Sequence, residues 1–342
     1  MLLRKIILSF ILAVAVWSPA LADHTVDSIF KNNDWDVNIW GYANISGEPG
    51  KDFMSYPTRI RTTVKYKEHW LAFTEVDVSH FFQSNAPYNP ITQAWIGYNF
   101  GKTDNIFSDV MIRAGSILTS GGLYLPPAYM AVTAVSPTNP FGHYATGIQV
   151  SKVWKDFTFT ADFTGASERS IQDPKRMSRF ETSQRFDWNV MKNEKGKTAL
   201  QLSLFNAWSA DAYHRIGLGV KYRPFDDLGL YAGMFKSQEH LSDGRTENEI
   251  GGYVLADYNL FKFRDDFIDF DVRPHIMFEK TGGTKDYTGY TGGVSFVLPE
   301  DGTYGRLNGS KISVDLMNTT TQIENGPKVT DHPIMLNFRI FF

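Results

Sequence analysis

The last nine residues, Ile334-Met335-Leu336-Asn337-Phe338-Arg339-Ile340-Phe341-Phe342, decide how the whole chain is read. Ile334, Leu336, Phe338, Ile340 and Phe342 alternate with Met335, Asn337, Arg339 and Phe341. A period of two is the signature of a strand whose faces meet different surroundings. One face suits hydrocarbon, whereas the other carries an amide and a guanidinium. In a soluble sandwich the apolar face would cover a core. In the alternative it faces lipid, and Asn337 and Arg339 line a wet interior.

The opposite end of the chain bears on that choice. MLLRKIILSFILAVAVWSPALA (Met1–Ala22) has Arg4 and Lys5, an apolar run from Ile6 to Trp17 and an Ala-Leu-Ala cleavage pattern. This reads as a secretory signal over 1–22, leaving 23–342 as one mature unit with a formal charge of about −5. There is no cysteine, hence no disulfide and no lipid-modified thiol. No second apolar run reaches the roughly 18 residues of a membrane helix.

Aromatic residues make up 15% of the sequence, yet its mean hydropathy is only −0.27. The apolar residues are spread singly, at every second position, over nearly the whole length. Apolar-out, polar-in alternation dilutes hydropathy in this way in transmembrane barrels. Mild acidity without a basic stripe excludes a nucleic-acid partner from the expectations.

Sixteen alternating segments are legible, at 35–44, 57–67, 69–80, 91–100, 108–117, 143–153, 156–165, 180–191, 197–208, 213–222, 227–237, 246–259, 267–279, 286–298, 309–319 and 331–342. The expected fold is therefore all-β, a transmembrane antiparallel barrel of sixteen strands. An even count puts both termini on one side. Connectors on that side, such as YKEHW, WKD, NEKGK and RPFDD, are brief and charged. Those on the other side, including 117–142 and 166–179, are mostly longer. In the first hairpin a turn at Glu68 sets Tyr66 against Trp70 and Val64 against Ala72 on the outer face. The same register sets Arg61 against Glu75 and Arg59 against Asp77 on the inner face, where opposite charges support it.

The closing NFRIFF, the even strand count, the QAWIGYNFG…VMIRAGS hairpin over 93–116 and the long connector after the fifth strand resemble the Gram-negative porins. The resemblance implies a homotrimer in the outer membrane, in contact with lipid and lipopolysaccharide, that passes small polar solutes by diffusion. It also implies that Phe338, Ile340 and Phe342 form the signal read by the barrel-assembly machinery.

Candidate functional residues follow from inward parity. Arg59, Arg61, Lys65, Arg113, Arg185, Arg215, Lys221, Arg273, Lys311 and Arg339 are set against Glu75, Asp77, Asp162, Glu181, Asp187, Glu249, Asp257, Asp269, Asp271 and Asp315. The signs balance, so most of these groups are expected simply to hydrate the wall. A local basic patch is expected where Arg339 nears Arg59 and Arg61 at the closure. The uncharged third outer connector, 117–142, departs from the acidic loop of the porins. Its Leu123, Tyr124, Tyr129 and Met130 are expected either to narrow the lumen or to pack on the wall. Arg169, Lys175, Arg176 and Arg179 in 166–179 read as solvated loop charge.

Two rival functions remain. A substrate-specific channel for sugars or anions would need a ladder of rings or cations. A lipid hydrolase would need the HLSDGR stretch, 240–245, to act as the His-x-Ser motif of outer-membrane phospholipase A. Asp243 stands where that motif has Asn, and the stretch reads as a turn. No cofactor, metal or catalytic residue is expected.

Overall fold

The computed structural model describes residues 30–32, 34–48, 54–78, 91–102, 105–122, 144–167, 180–193, 196–209, 213–225, 227–240, 244–264, 269–283, 285–299, 307–323 and 326–342. The 1–22 signal expected from the sequence lies outside them. Sixteen long strands carry the fold: β1 (Trp35–Gly47), β2 (Met54–Tyr66), β3 (Trp70–Asp77), β4 (Ile91–Asn99), β5 (Val110–Leu118), β6 (Tyr144–Trp154), β7 (Phe157–Ser167) and β8 (Glu181–Lys192). The second half comprises β9 (Thr198–Ser209), β10 (Tyr213–Tyr222), β11 (Leu228–His240), β12 (Thr246–Tyr258), β13 (Phe270–Gly283), β14 (Lys285–Val297), β15 (Lys311–Ile323) and β16 (Ile334–Phe341). Short pieces at Phe30–Lys31, Phe261–Phe263 and Val329–Asp331 extend the sheet at its rims.

Each strand pairs antiparallel with the next, and β16 returns to β1, so the sheet closes. Closure gives every spanning strand a partner on both sides, which hydrocarbon demands of any backbone inside it. At the seam, Gly41 and Phe342 exchange backbone hydrogen bonds of 2.9 and 3.0 Å. Gly41 is needed there, because a Cβ would come within 2.8 Å of the Phe342 ring.

Burial is inside out relative to a water-soluble protein. On β8, Arg185 is 3% exposed while Trp188, three residues on, is 40% exposed. The same inversion buries Glu75, Asp162 and Asp315 and exposes Ile250, Ile276 and Leu316. A core rule run backwards across a closed ring identifies the outer face as the one that meets lipid. Aromatic clusters sit at the rim of the short connectors: Trp35 with Tyr66, Trp70 with Tyr98, and Phe157 with Trp188. This is the girdle position.

All sixteen expected segments are strands, with ends moved by at most four residues. The first hairpin has the expected register, Tyr66 to Trp70 through Arg59 to Asp77. The largest shifts are at β13 and β15, which run on to Gly283 and Ile323. Both extensions are polar and carry the hairpins beyond the apolar belt, so alternation stops marking them while pairing continues.

Candidate functional site

The inner wall divides into two arcs of different character. The first spans β16 and β1–β5. Across β2 and β3, Arg59 donates to Glu75 at 2.9 Å and Arg61 donates to the other oxygen of the same carboxylate. Thr92 Oγ1 donates to Glu75 at 2.8 Å. Register alone suggested two separate ion pairs, but a guanidinium is long enough to reach diagonally, and both converge on Glu75. Arg61 also lies over the Trp40 ring at 4.5 Å and near that of Tyr42 at 5.4 Å. Arg339 approaches Tyr42 from the other side at 5.0 Å and donates to Asn44 at 2.7 Å. Further round, Arg113 stands 4.7 Å over Trp95, and Phe73 stacks on that ring at 5.4 Å. Trp40, Arg59, Arg61, Phe73, Trp95 and Arg113 are all half-buried, so this arc presents its side chains to the lumen.

The second arc, β6–β15, is packed. Asp162 receives Gln149 at 2.7 Å and Ser183 at 2.6 Å. Arg185 is held by Asp187 at 2.9 Å, and Arg273 donates to Asp257 at 2.6 Å. Asp315 accepts from His275 Nε2 at 2.7 Å and Asn337 Nδ2 at 2.6 Å. Between these groups lies a buried apolar cluster of Phe205, Tyr231, Phe235, Tyr253, Leu255, Met277 and Met317, with Met335 against it. All of them share the inner face with the ionic groups.

The start of the third outer connector joins this packed arc. Thr119–Gly122 are buried. The Ser120 amide donates to Asp162, and the Gly122 carbonyl accepts from Arg185 at 2.6 Å. Gly121 allows the approach, since a Cβ there would lie 2.6 Å from Ala207 Cβ and 2.8 Å from Ser183 Cβ. These four residues therefore turn inward onto the wall of β7–β9.

No protein-family model matches the sequence, and no curated protein matches it either. Solved structures do match. The outer membrane channel DcaP of Acinetobacter baumannii aligns with a TM-score of 0.58 at 11% identity, over 92% of this chain and 100% of that one. The fold is that of the outer-membrane porins. The anion-selective porin from Comamonas acidovorans aligns at 0.58 and 11% identity, over 90% of this chain and 100% of its own. The trimer form of OmpT from Vibrio cholerae aligns at 0.56 and 10% identity, over the same shares.

Within this porin fold, Arg59, Arg61, Glu75, Asp77, Arg113 and Arg339 fall together on the first arc. Arg185 and Arg273 fall on the packed arc. Asp269 precedes β13, so it leaves the strand wall. Asp271 ties down the neighbouring connector, accepting from Arg264 at 2.7 Å and Asn259 at 2.9 Å. Register adds Asp36, Glu239, Glu247 and Glu279 to the inner face. The first arc then carries five cations (Arg59, Arg61, Lys65, Arg113, Arg339) against Asp36, Glu75 and Asp77. On the packed arc Arg185, Arg215, Lys221, Arg273 and Lys311, with Lys262 and Lys285 added by register, stand against ten acids: Asp162, Glu181, Asp187, Glu239, Glu247, Glu249, Asp257, Asp271, Glu279 and Asp315. A census over the whole wall conceals this separation of signs.

The apolar cluster shares its face with the charged residues that inward parity selects, so charge does not mark it. LSLFNAWS at 202–209, apolar on both faces in its middle, was the signal for it. Leu123, Tyr124, Tyr129 and Met130 lie outside the described residues, as do Arg169, Lys175, Arg176 and Arg179. So does Ser242; His240 Nδ1 meets Thr246 Oγ1 at 3.0 Å.

Proposed function

We propose that the protein is an outer-membrane channel through which small hydrophilic solutes and ions diffuse, with a preference for anions. One observation carries the reading: a closed barrel, apolar outside, whose inner surface at β1–β5 carries a part-exposed arc with a surplus of cations. On the opposite arc Asp257, Asp315 and Asp162 are buried and engaged by Arg273, His275, Asn337 and Ser183, which withdraws their charge from a passing ion. Fixed charge in a low-dielectric channel raises the local concentration of counter-ions. The anion-selective porin among the similar structures gives the same expectation by analogy.

Four further assignments belong to this proposal. Residues 1–22 direct export, and Phe338, Ile340 and Phe342 serve as the assembly signal. Leu123, Tyr124, Tyr129 and Met130 narrow the lumen beyond the anchored turn at Thr119–Gly122. The barrel forms a homotrimer through the outer face of β2–β6, where Thr62, Thr74, Ala94, Ser116 and Thr146 make a row of small side chains. Small groups allow close packing of protein on protein, which bulky lipid-facing residues do not. No catalytic step and no cofactor enter the reading.

The test is planar-bilayer recording in a potassium chloride gradient. Stable conductance with a reversal potential displaced toward that of chloride is expected, and deletion of 121–130 raises the single-channel conductance. A protein that folds in detergent but never conducts would overturn the channel. A reversal potential displaced toward potassium would overturn the anion preference.

A further inference from the structure

The exposed arc holds more than positive charge. On consecutive strands its inner face runs Trp40 and Tyr42 on β1, Arg61 on β2, Phe73 on β3, Trp95 on β4 and Arg113 on β5. Rings and guanidiniums are interleaved: Arg61 lies over Trp40, Arg113 over Trp95, and Phe73 against Trp95 with an interplanar angle of 21°. Neighbouring strands are about 4.8 Å apart, so the band forms one continuous strip rather than scattered contacts.

Hydrated inorganic ions gain nothing from the part of the Trp40, Phe73 and Trp95 surface that stays in contact with the lumen. Such surfaces favour a solute that covers them. Arg113 gives Nη1 to Gln149 at 2.9 Å and Nε and Nη2 to the Met111 sulfur at 3.4 Å, and Arg61 gives Nε to Glu75. Each planar guanidinium is thus held in place with a second hydrogen on its Nη atoms to offer the two oxygens of a carboxylate. Ring and carboxylate recognition therefore lie side by side at the spacing of one small molecule.

We infer that this strip binds aromatic carboxylates, with the solute ring on Trp95 and Phe73 and its carboxylate on the guanidinium of Arg113 or Arg61. The inference deepens the channel reading and rests on it. Solutes of this class then slow chloride flux by occupying the strip, so current saturates where a plain diffusion pore would give proportional flux.

The experiment is block of the chloride current in planar bilayers by sodium benzoate, cyclohexanecarboxylate, acetate and neutral benzamide. Benzoate is expected to half-block at a concentration about tenfold below acetate. Trp95→Leu should raise the benzoate value about fivefold while leaving acetate unchanged, and Arg113→Gln should weaken both anions. Benzoate and acetate blocking alike in a conducting wild-type channel would overturn the strip and leave the channel standing. Cyclohexanecarboxylate blocking as well as benzoate would overturn the aromatic requirement, and benzamide blocking as well as benzoate would overturn the role of the guanidiniums. Absence of conductance would remove the channel reading itself. Should Trp95→Leu fail to fold, Phe73→Leu gives the same readout, and the wild-type comparison decides without either variant.

Discussion

The two arcs of the inner wall solve one electrostatic problem in opposite ways. Along β6–β15 the carboxylates of Asp162, Asp187, Asp257 and Asp315 are buried beside their partners, as with Asp315 between His275 and Asn337. Along β2 the guanidiniums reach water: Arg59 and Arg61 have side chains 17% and 21% exposed around a carboxylate that is 0% exposed. A buried charge is costly unless its partners are in place, whereas a charge at the water's edge keeps part of its hydration. The packed arc is thus specified by stability and the open arc is available for selectivity.

The largest effect that would expose this difference is on folding. Asp315→Ala strands His275 and Asn337 in a dry setting and is expected to cost about 3–5 kcal/mol. Glu75→Gln leaves two guanidiniums that can turn toward the lumen, and is expected to cost less than about 2 kcal/mol. Urea titration of the purified barrel, followed by its unheated gel mobility, measures both. Equal losses would erase the distinction between the arcs.

Next in size is the seat of the third connector. Gly121→Leu drives a side chain into Ala207 and Ser183, an overpacking worth about 1–3 kcal/mol. Loss of the seat should speed protease cleavage within 117–142 while the strands stay intact. Unchanged cleavage would mean that the hydrogen bonds from Ser120 to Asp162 and from Arg185 to Gly122 do not anchor the segment.

A smaller effect separates the arcs by function. Arg61→Gln removes a cation from the open arc and is expected to lower the chloride-to-potassium permeability ratio about twofold. Arg273→Gln removes one that is paired with Asp257 on the packed arc, and the ratio should stay within error. Reversal potentials in a salt gradient report both, and a larger shift from Arg273 would invert the assignment.

How much of this was legible follows from what alternation can encode. Strand number, the Tyr66–Trp70 hairpin and the approach of Arg339 to Arg61 across β1 all follow from period and closure. The burial state of each inner residue does not. Asp315 and Glu75 read alike as inward acids, yet Glu75 is held from the strands beside it whereas Asp315 takes His275 from two strands away, past Gly293. The convergence of Arg59 and Arg61 on one carboxylate depends on side-chain reach, which a register does not contain. The apolar inner cluster was hidden differently: Phe205 and Leu255 are apolar on strands whose outer faces are apolar too, so alternation lost its contrast.

The smallest effect lies at the rim, where ion pairs resemble those of the wall in geometry alone. Lys192 meets Asp156 at 2.8 Å, much as Arg273 meets Asp257 at 2.6 Å. The rim pair is 56% and 45% exposed, however, against 18% and 3% in the wall. Bulk water screens the first pair, and both side chains give up conformational freedom to form it, so Lys192→Ala should cost less than about 1 kcal/mol. The same urea titration, run in low and in high salt, tests the argument at its weakest point. A salt-independent loss from Lys192→Ala as large as that from Asp315→Ala would mean that water exposure is not what separates the two kinds of pair, and the contrast between the arcs would need another cause.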